Sequence, residues 1–302
     1  MLLFTTGDST CPVPRQSALG ESEGDRIGNV VPELRHVMAA YEAVQDFDLV
    51  HDHTMSGPVY AERFPDLKVV TTVHGPLDGE LADPYLRLAP RVPLVAISRA
   101  QCNPVPELSV AKVIHHGLDA DDFPMGDGDG GYLLFLGRMT PDKGVHLAME
   151  AAAEAGMPLL IAAKMREPAE VDYFRQHVEP HLSDTIRYVG ETSGDEKLDL
   201  LAGARALLFP IRWNEPFGMV MIEAMACGTP VIAFPEGSVP EVVDHGRTGL
   251  ICDDTAGMAE AIGQVGDLDR KECRAEVADG RFSTRRMVAE HLELFADLTG
   301  AA

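Results

Sequence analysis

Two carboxylates and two cations stand out in the second half of the sequence. Glu215 and Glu223 lie eight positions apart in ALLFPIRWNEPFGMVMIEAMACGTP, residues 206–230. Arg138 and Lys143 lie in FLGRMTPDKG, residues 135–144. Cations beside the start of a helix form a seat for a diphosphate, because the helix end adds free N–H groups and a favourable dipole. The same residues also fit a strand-to-helix turn with exposed side chains. The stretch is not a phosphate loop of the GxxxxGK[ST] type, because no glycine precedes Lys143 directly and no Ser or Thr follows it. A carboxylate such as Glu215 beside the backbone of Phe217 and Gly218 suits neighbouring hydroxyls, as on a sugar, although it could equally complement the helix dipole. Glu223 stands among Met219, Val220, Met221, Ile222, Ala224, Met225 and Ala226. A carboxylate in so apolar a helix needs hydrogen-bond donors, from a ligand or from a salt bridge within its domain.

A third group of candidates is histidine. His74 ends the apolar run KVVTTVH and precedes Gly75; His51 and His53 end another in VHDH. A metal set of His51, Asp52, His53 and His74 is one reading. Only His51 and His53 of the first three point the same way, however, because a strand alternates its side chains. For His74 a strand-end histidine bonded to backbone is the plainer reading, while His51 and His53, also at a strand end, are candidates for an acceptor side.

Buried strands must position these groups. Apolar runs read as strands at Met1–Thr6, Phe47–His51, Lys68–His74, Val92–Ile97 and Ala111–His115, with a loop from the first through Asn29 and a helix over Val31–Val44. The second half alternates strands (132–136, 159–163, 186–189, 206–209, 231–234) with helices (145–155, 170–177, 196–202, 219–227, one from Pro240), and a final amphipathic helix covers 283–298. Ser98 fits a helix N-cap, and Ser238–Glu241 has the form of a capping box. Such alternation means parallel sheets with right-handed crossovers and ligands at the carboxyl ends of strands. The division expected is a first Rossmann-like domain over 1–118, an acidic, Gly-rich linker over 119–131, a second such domain over 132–282 and a terminal helix over 283–302 that crosses back to the first domain.

Composition narrows the function classes. A formal charge of −23 argues against nucleic acid and anionic membrane as bulk partners, yet leaves room for a small anion bound by a few local cations. No apolar run approaches the roughly 20 residues of a membrane helix. The N-terminus lacks the features of a signal peptide. Five cysteines without a CxxC pair fit a reducing cytoplasm better than a disulfide framework or a zinc site. A dinucleotide-dependent dehydrogenase would need GxGxxG after a first strand, and none is present.

GRMTPDKG, EPFGMVMIE, CGTPVIA and GSVPEVVDHGRTG together resemble the retaining glycosyltransferases of the GT-B fold, family 4 (glycosyl transferases group 1). The likeness covers nearly all of the second half and, more loosely, the first half from Asp48. It implies an α/β fold of two Rossmann-like domains and transfer of a sugar from a nucleotide diphosphate donor with retention. UDP- or GDP-sugars are the donors expected, and the acceptor (a sugar, a lipid-linked or a small molecule) is open. Arg138 and Lys143 would bind the diphosphate. Glu215 and the main-chain N–H groups of Phe217 and Gly218 would hold the donor sugar, Glu223 the ribose, and His74 would contact the sugar near the reacting carbon. Glu241 would lie near the donor. Family members generally use no cofactor and no bound metal, because cations and the helix dipole stabilise the leaving phosphate. The family's opening strand, Gly-rich loop and long helix have no counterpart before Met1–Thr6, so the chain reads as short by one β-α unit. A nucleotide-sugar-binding protein without turnover is the alternative that this leaves.

Overall fold

Runs of apolar residues without alternation become strands buried on both faces, the pattern of parallel sheets. The computed structural model describes residues 1–26 and 29–300 and divides into two units. The first comprises Met1–Ile97, Pro104–Val113 and the chain from His291. It opens with a pair of two-residue strands, β1 (Leu3–Phe4) and β2 (Arg15–Gln16), parallel and separate from the main sheet. Helix α1 (Val30–Ala43) follows, then β3 (Val50–Asp52), α2 (Gly57–Tyr60), β4 (Val69–Val73), α3 (Ala82–Leu88) and β5 (Leu94–Ala96). The short helix α4 (Arg99–Cys102) groups with the second unit, and β6 (Lys112–Val113) closes a four-stranded parallel sheet in the order β3-β4-β5-β6.

The second unit comprises Ser98–Asn103 and Ile114–Glu290. Its elements in order are β7 (Leu133–Arg138), α5 (Val145–Glu154), β8 (Leu159–Lys164), α6 (Pro168–Tyr173), β9 (Ile186–Gly190) and α7 (Gly194–Gly203). Then come β10 (Leu207–Phe209), α8 (Met219–Ala226), β11 (Val231–Ala233), α9 (Val239–Val242) and β12 (Gly249–Ile251). Helices α10 (Thr255–Gln264), α11 (Arg270–Ala278) and α12 (Thr284–Thr299) follow, the last running on into the residues of the first unit. The six strands are parallel in the order β12-β11-β10-β7-β8-β9. Leu133, Phe135, Ile161, Leu208 and Ile232 on these strands pack with Ala148, Met149, Met258 and Ile262 of the covering helices in one core.

This strand order decides where a ligand fits. From β7 the chain builds outward through β8 and β9, then returns to β7's other side and builds through β10, β11 and β12. The order reverses between β7 and β10, and the crevice outside their carboxyl ends is the expected binding place. Two loops meet there. Gly144, between β7 and α5, has φ +75°, and a Cβ on it would lie 2.1 Å from the Pro210 carbonyl oxygen. Arg212 N donates to Asp142 O across the same contact at 2.8 Å. Only glycine permits both the backbone angle and the approach.

Several elements differ from the sequence reading. The first strand is two residues rather than six, and its partner Arg15–Gln16 lies in what reads as loop. That pairing rests on main-chain bonds, Leu3 N to Pro14 O and Thr5 N to Gln16 O, in a segment too polar to show it. The second expected strand starts at Val50 instead of Phe47, because Phe47 N turns back to Val44 O. Strand β12 and helices α10 and α11 have no counterpart in the reading. The ladder between β8 and β9 slips by one: Ile161 faces Tyr188 and Ala162 faces Gly190, so Val189 has no opposite number.

Candidate functional site

A cavity of about 380 Å3 opens at the reversal point of the six-stranded sheet. Arg138 reaches it from the end of β7, Phe209 from the end of β10, and Gly218, Met219 and Val220 from the start of α8. The first N–H groups of an α-helix have no acceptor within the helix, so α8 presents donors and a positive dipole end to this space. Gly218, at φ +72°, makes the turn into the helix. Lys143, Glu215 and Glu223 complete the set. Five of the seven expected site residues thus line one cavity.

The other two are Phe217, whose expected contribution is its main-chain N–H, and His74. Phe217 is buried at 2% exposure, its ring 5.0 Å from that of His116 and 6.1 Å from that of Phe282. The ring anchors the loop and leaves the main-chain N–H as the group in question, next to Gly218 on the cavity wall. His74 follows β4 in the first unit.

The two carboxylates are each held by one lysine. Glu215 Oε2 pairs with Lys143 and accepts from Trp213 Nε1 at 2.8 Å, and the Lys143 ammonium lies 4.9 Å from the centre of the Trp213 ring. Both members of that ion pair are 13% exposed. Glu223 Oε1 pairs with Lys197 Nζ at 3.0 Å. The donor that the apolar helix requires therefore comes from α7. Lys197 is a cavity residue that sequence reasoning missed, as is Lys164. A lone lysine on a helix and one at a strand end carry no local signal.

Arg138 and Lys164 are direct partners in the β7–β8 ladder. Neither side chain has an ion-pair or hydrogen-bond partner among the described residues. Like charges opposite one another on adjacent strands repel, so their juxtaposition at a cavity suits an anion. Glu191, also on the wall, is engaged by Arg166 through two bonds of 3.1 and 3.0 Å. Thr192 Oγ1, buried at the same wall, has no hydrogen-bond partner among the described residues.

The expected capping box is not formed. Ser238 Oγ donates to Phe217 O at 2.7 Å, and Glu241 turns outward from its four-residue helix. Its carboxylate accepts from Arg99 N at 3.0 Å and Ala100 N at 2.7 Å, and His115 Nε2 donates to it at 3.0 Å. Burial pushes the Glu241 carboxyl up, but His115 and the two N–H groups outweigh it and hold the group below its usual range. The open N–H groups of α4 are better donors for a carboxylate than its own short helix. Glu241 thus serves α4 and does not line the cavity. Ser98 does cap α4, accepting from Gln101 N at 3.0 Å.

In the first unit the histidines form a stack. His51 Nε2 lies 2.7 Å from Thr72 Oγ1, and its ring is 4.1 Å from that of His53 and 5.0 Å from that of His291. His53 Nδ1 meets His74 Nε2 at 2.9 Å. Asp52 points the other way, accepting from Tyr41 Oη and Thr54 N, both at 2.6 Å. No group of three or more side chains suited to a metal occurs among the described residues. Burial, then the neighbouring histidines, lowers His51 to about 3; burial and His74 lower His53 to about 4; burial lowers His74.

These depressed values make the folded state poor in protons relative to the unfolded chain, where histidine titrates near 6.5. The stabilising contribution is complete above about pH 6.5 and is lost as pH falls toward 4 and 3. Each excess proton bound by the unfolded chain contributes a slope of about 1.4 kcal/mol per pH unit. His51→Gln keeps a partner for Thr72 and removes one titrating group. It is expected to flatten the fall in melting temperature between pH 7 and pH 4.5; an unchanged slope would remove His51 from that role.

The sequence profile of the family described as Glycosyl transferases group 1 matches residues 124–276, the span that carries every residue of the cavity wall. The chain belongs to this family. Among curated relatives, glycogen synthase of Mycobacterium tuberculosis is 30% identical over 256 residues, covering 73% of this chain and 60% of the relative. The putative glycosyltransferase YtcC of Bacillus subtilis is 26% identical, with 72% and 63% covered. The chain therefore spans about three-fifths of the length of these family members. Among solved structures, HepE of Anabaena, crystallised with UDP and glucose, superposes at TM-score 0.76 with 21% identity, over 94% of this chain and 86% of that one. Sucrose-phosphate synthase of Thermosynechococcus elongatus superposes at TM-score 0.72 with 20% identity, over 89% and 78%. The fold is GT-B. No helix among the described residues is long and apolar enough to cross a membrane.

Proposed function

We propose that the cavity of the second unit binds a nucleotide diphosphate sugar and that the protein transfers the sugar to an acceptor with retention of configuration. The observation that carries this reading is the pair Arg138–Lys164. These are two neighbouring cations whose side chains have no partner among the described residues, set at the reversal point of the sheet beside the start of α8. A diphosphate between them would relieve their repulsion and take up the helix N–H groups. Arg138 and Lys143 then stabilise the charge that grows on the diphosphate as the glycosidic bond breaks. Among the described residues the Glu215 carboxylate is bonded through Oε2, which leaves Oε1 for hydroxyls of the donor sugar. Glu223, bonded through Oε1, has Oε2 for the ribose. For His74 the role is the one that the family resemblance assigns, a contact to the donor sugar near the reacting carbon.

Because HepE was crystallised with UDP and glucose, UDP-glucose is the first donor to test, beside GDP- and ADP-glucose. A ligand that binds only the native state raises the melting temperature, by an amount equivalent to about 2.7 kcal/mol at a hundred times Kd. At least one of the three is expected to do so, and none raising it would end the donor-site reading. Turnover is tested separately, by release of the nucleotide diphosphate with a set of sugar and lipid-linked acceptors. Donor binding with neither transfer nor hydrolysis would make this chain a binding protein.

A further inference from the structure

We infer that Lys197 is a positioning residue for nucleotide recognition: it fixes the Glu223 carboxylate so that one oxygen, Oε2, faces the ribose. The inference rests on the donor-site reading above and adds to it the group that makes Glu223 specific.

Glu223 has three rotatable side-chain bonds and stands on a helix whose neighbours offer it no donor. It is 18% exposed, enough to reach the cavity and too little to be fully solvated. Left alone, such a carboxylate swings toward whatever water it can find, because a buried charge without a partner is costly. Lys197 removes that freedom. Its ammonium, on a side chain 27% exposed, donates to Oε1 at 3.0 Å and is the one hydrogen-bond partner of the carboxylate among the described residues.

The lysine can do this because its own helix is fixed. Tyr132 Oη donates to Leu200 O at 3.0 Å, Thr229 Oγ1 to Leu201 O at 2.6 Å and Arg270 Nη2 to Ala202 O at 3.1 Å. Thr229 lies in the turn beyond α8 and donates its N–H to Ala224 O at 2.8 Å, so its bond to Leu201 ties the helix of Lys197 to the helix of Glu223. The result is a carboxylate with one oxygen spent and one presented. Such a group accepts a hydroxyl hydrogen at a defined point, and it rejects a sugar that lacks the hydroxyl because Oε2 is then left unmet.

The test measures affinity by calorimetry for UDP, 2′-deoxy-UDP and 3′-deoxy-UDP in the wild type, Lys197→Met and Lys197→Arg, with melting temperatures recorded alongside. The wild type is expected to prefer UDP over at least one deoxy analogue by about tenfold or more, as for a hydrogen bond to a charged group. Lys197→Met is expected to bring that ratio close to one, chiefly by weakening UDP, and Lys197→Arg to restore most of it. A purely structural role would lower the melting temperature of Lys197→Met and leave the ratio intact, which would overturn the inference. A wild type that binds all three equally would overturn both the ribose role of Glu223 and the role of Lys197. A wild type that binds none would remove the donor-site reading for this nucleotide and the inference with it.

Discussion

Arg138→Ala is expected to weaken a nucleotide diphosphate sugar by about 10- to 100-fold, the loss for a charge-assisted hydrogen bond. The bare nucleoside should bind the variant as it binds the wild type, and the melting temperature should hold or rise. The Arg138 side chain has no partner among the described residues and faces the like charge of Lys164 across the ladder. The folded protein loses no bond with this side chain, and the repulsion goes with it. Calorimetric titration of the diphosphate sugar and of the nucleoside separates the outcomes. Equal losses for both ligands would show that Arg138 shapes the cavity instead of holding phosphate. Lys143→Ala would read differently. It removes the ion-pair partner of a carboxylate that is 13% exposed, so its loss of binding arrives together with a loss of stability.

Arg270→Met is expected to destabilise the second unit by about 3–5 kcal/mol, from several bonds worth about 1–3 kcal/mol each that do not add fully. Arg270 Nε donates to Gly126 O at 2.9 Å, Nη1 to Ala204 O at 3.1 Å, and Nη2 to Ala202 O and to Thr229 Oγ1 at 3.1 and 2.6 Å. Those acceptors belong to the acidic loop, the end of α7 and the turn beyond α8. Removing the guanidinium leaves three carbonyls facing a methionine that cannot donate. A cation at the end of α7 also complements that helix's dipole. Urea unfolding would measure the change, and a loss below about 1 kcal/mol would show that water replaces the guanidinium there. Arg274 does related work one turn on, donating to Ala120 O, Phe123 O and Ala226 O at 2.7, 2.9 and 2.6 Å.

Much of the second unit was legible from its residues because its strands are buried on both faces. LLFLG, LLIAA and LLF contain nothing to confuse with a half-exposed strand or a loop. Arg138, Lys143, Glu215 and Glu223 of the cavity wall were legible because they cluster in two short stretches with glycines at the turns. What escaped is what depends on partners distant in sequence. Helix α11, RKECRAEVA, reads as a polar surface segment, yet its arginines reach carbonyls well over a hundred residues away. Helix α10 carries Gly257 and Gly263, which weaken any helical signal. Lys164 enters the site through strand register and Lys197 through the packing of α7 on α8. Neither relation is written in the neighbouring residues. Glu241 misled for the same reason: S-x-x-E is a local pattern, and its carboxylate found stronger donors on α4.

The one-residue slip between β8 and β9 has an effect on local charge. Before the slip the two strands run at an offset of 27, with Ile161 opposite Tyr188; after it the offset is 28, with Ala162 opposite Gly190. Carried on at 28, the count sets Thr192 alongside Lys164. Carried on at 27, it would set Glu191 there, and the carboxylate would neutralise the lysine. Val189 is the residue that makes the difference. Which side chain stands nearest Lys164 thus depends on the number of residues in a strand as well as on their identity. Shortening β9 by one residue would bring Glu191, now held by Arg166, alongside Lys164 without replacing a single ionisable side chain.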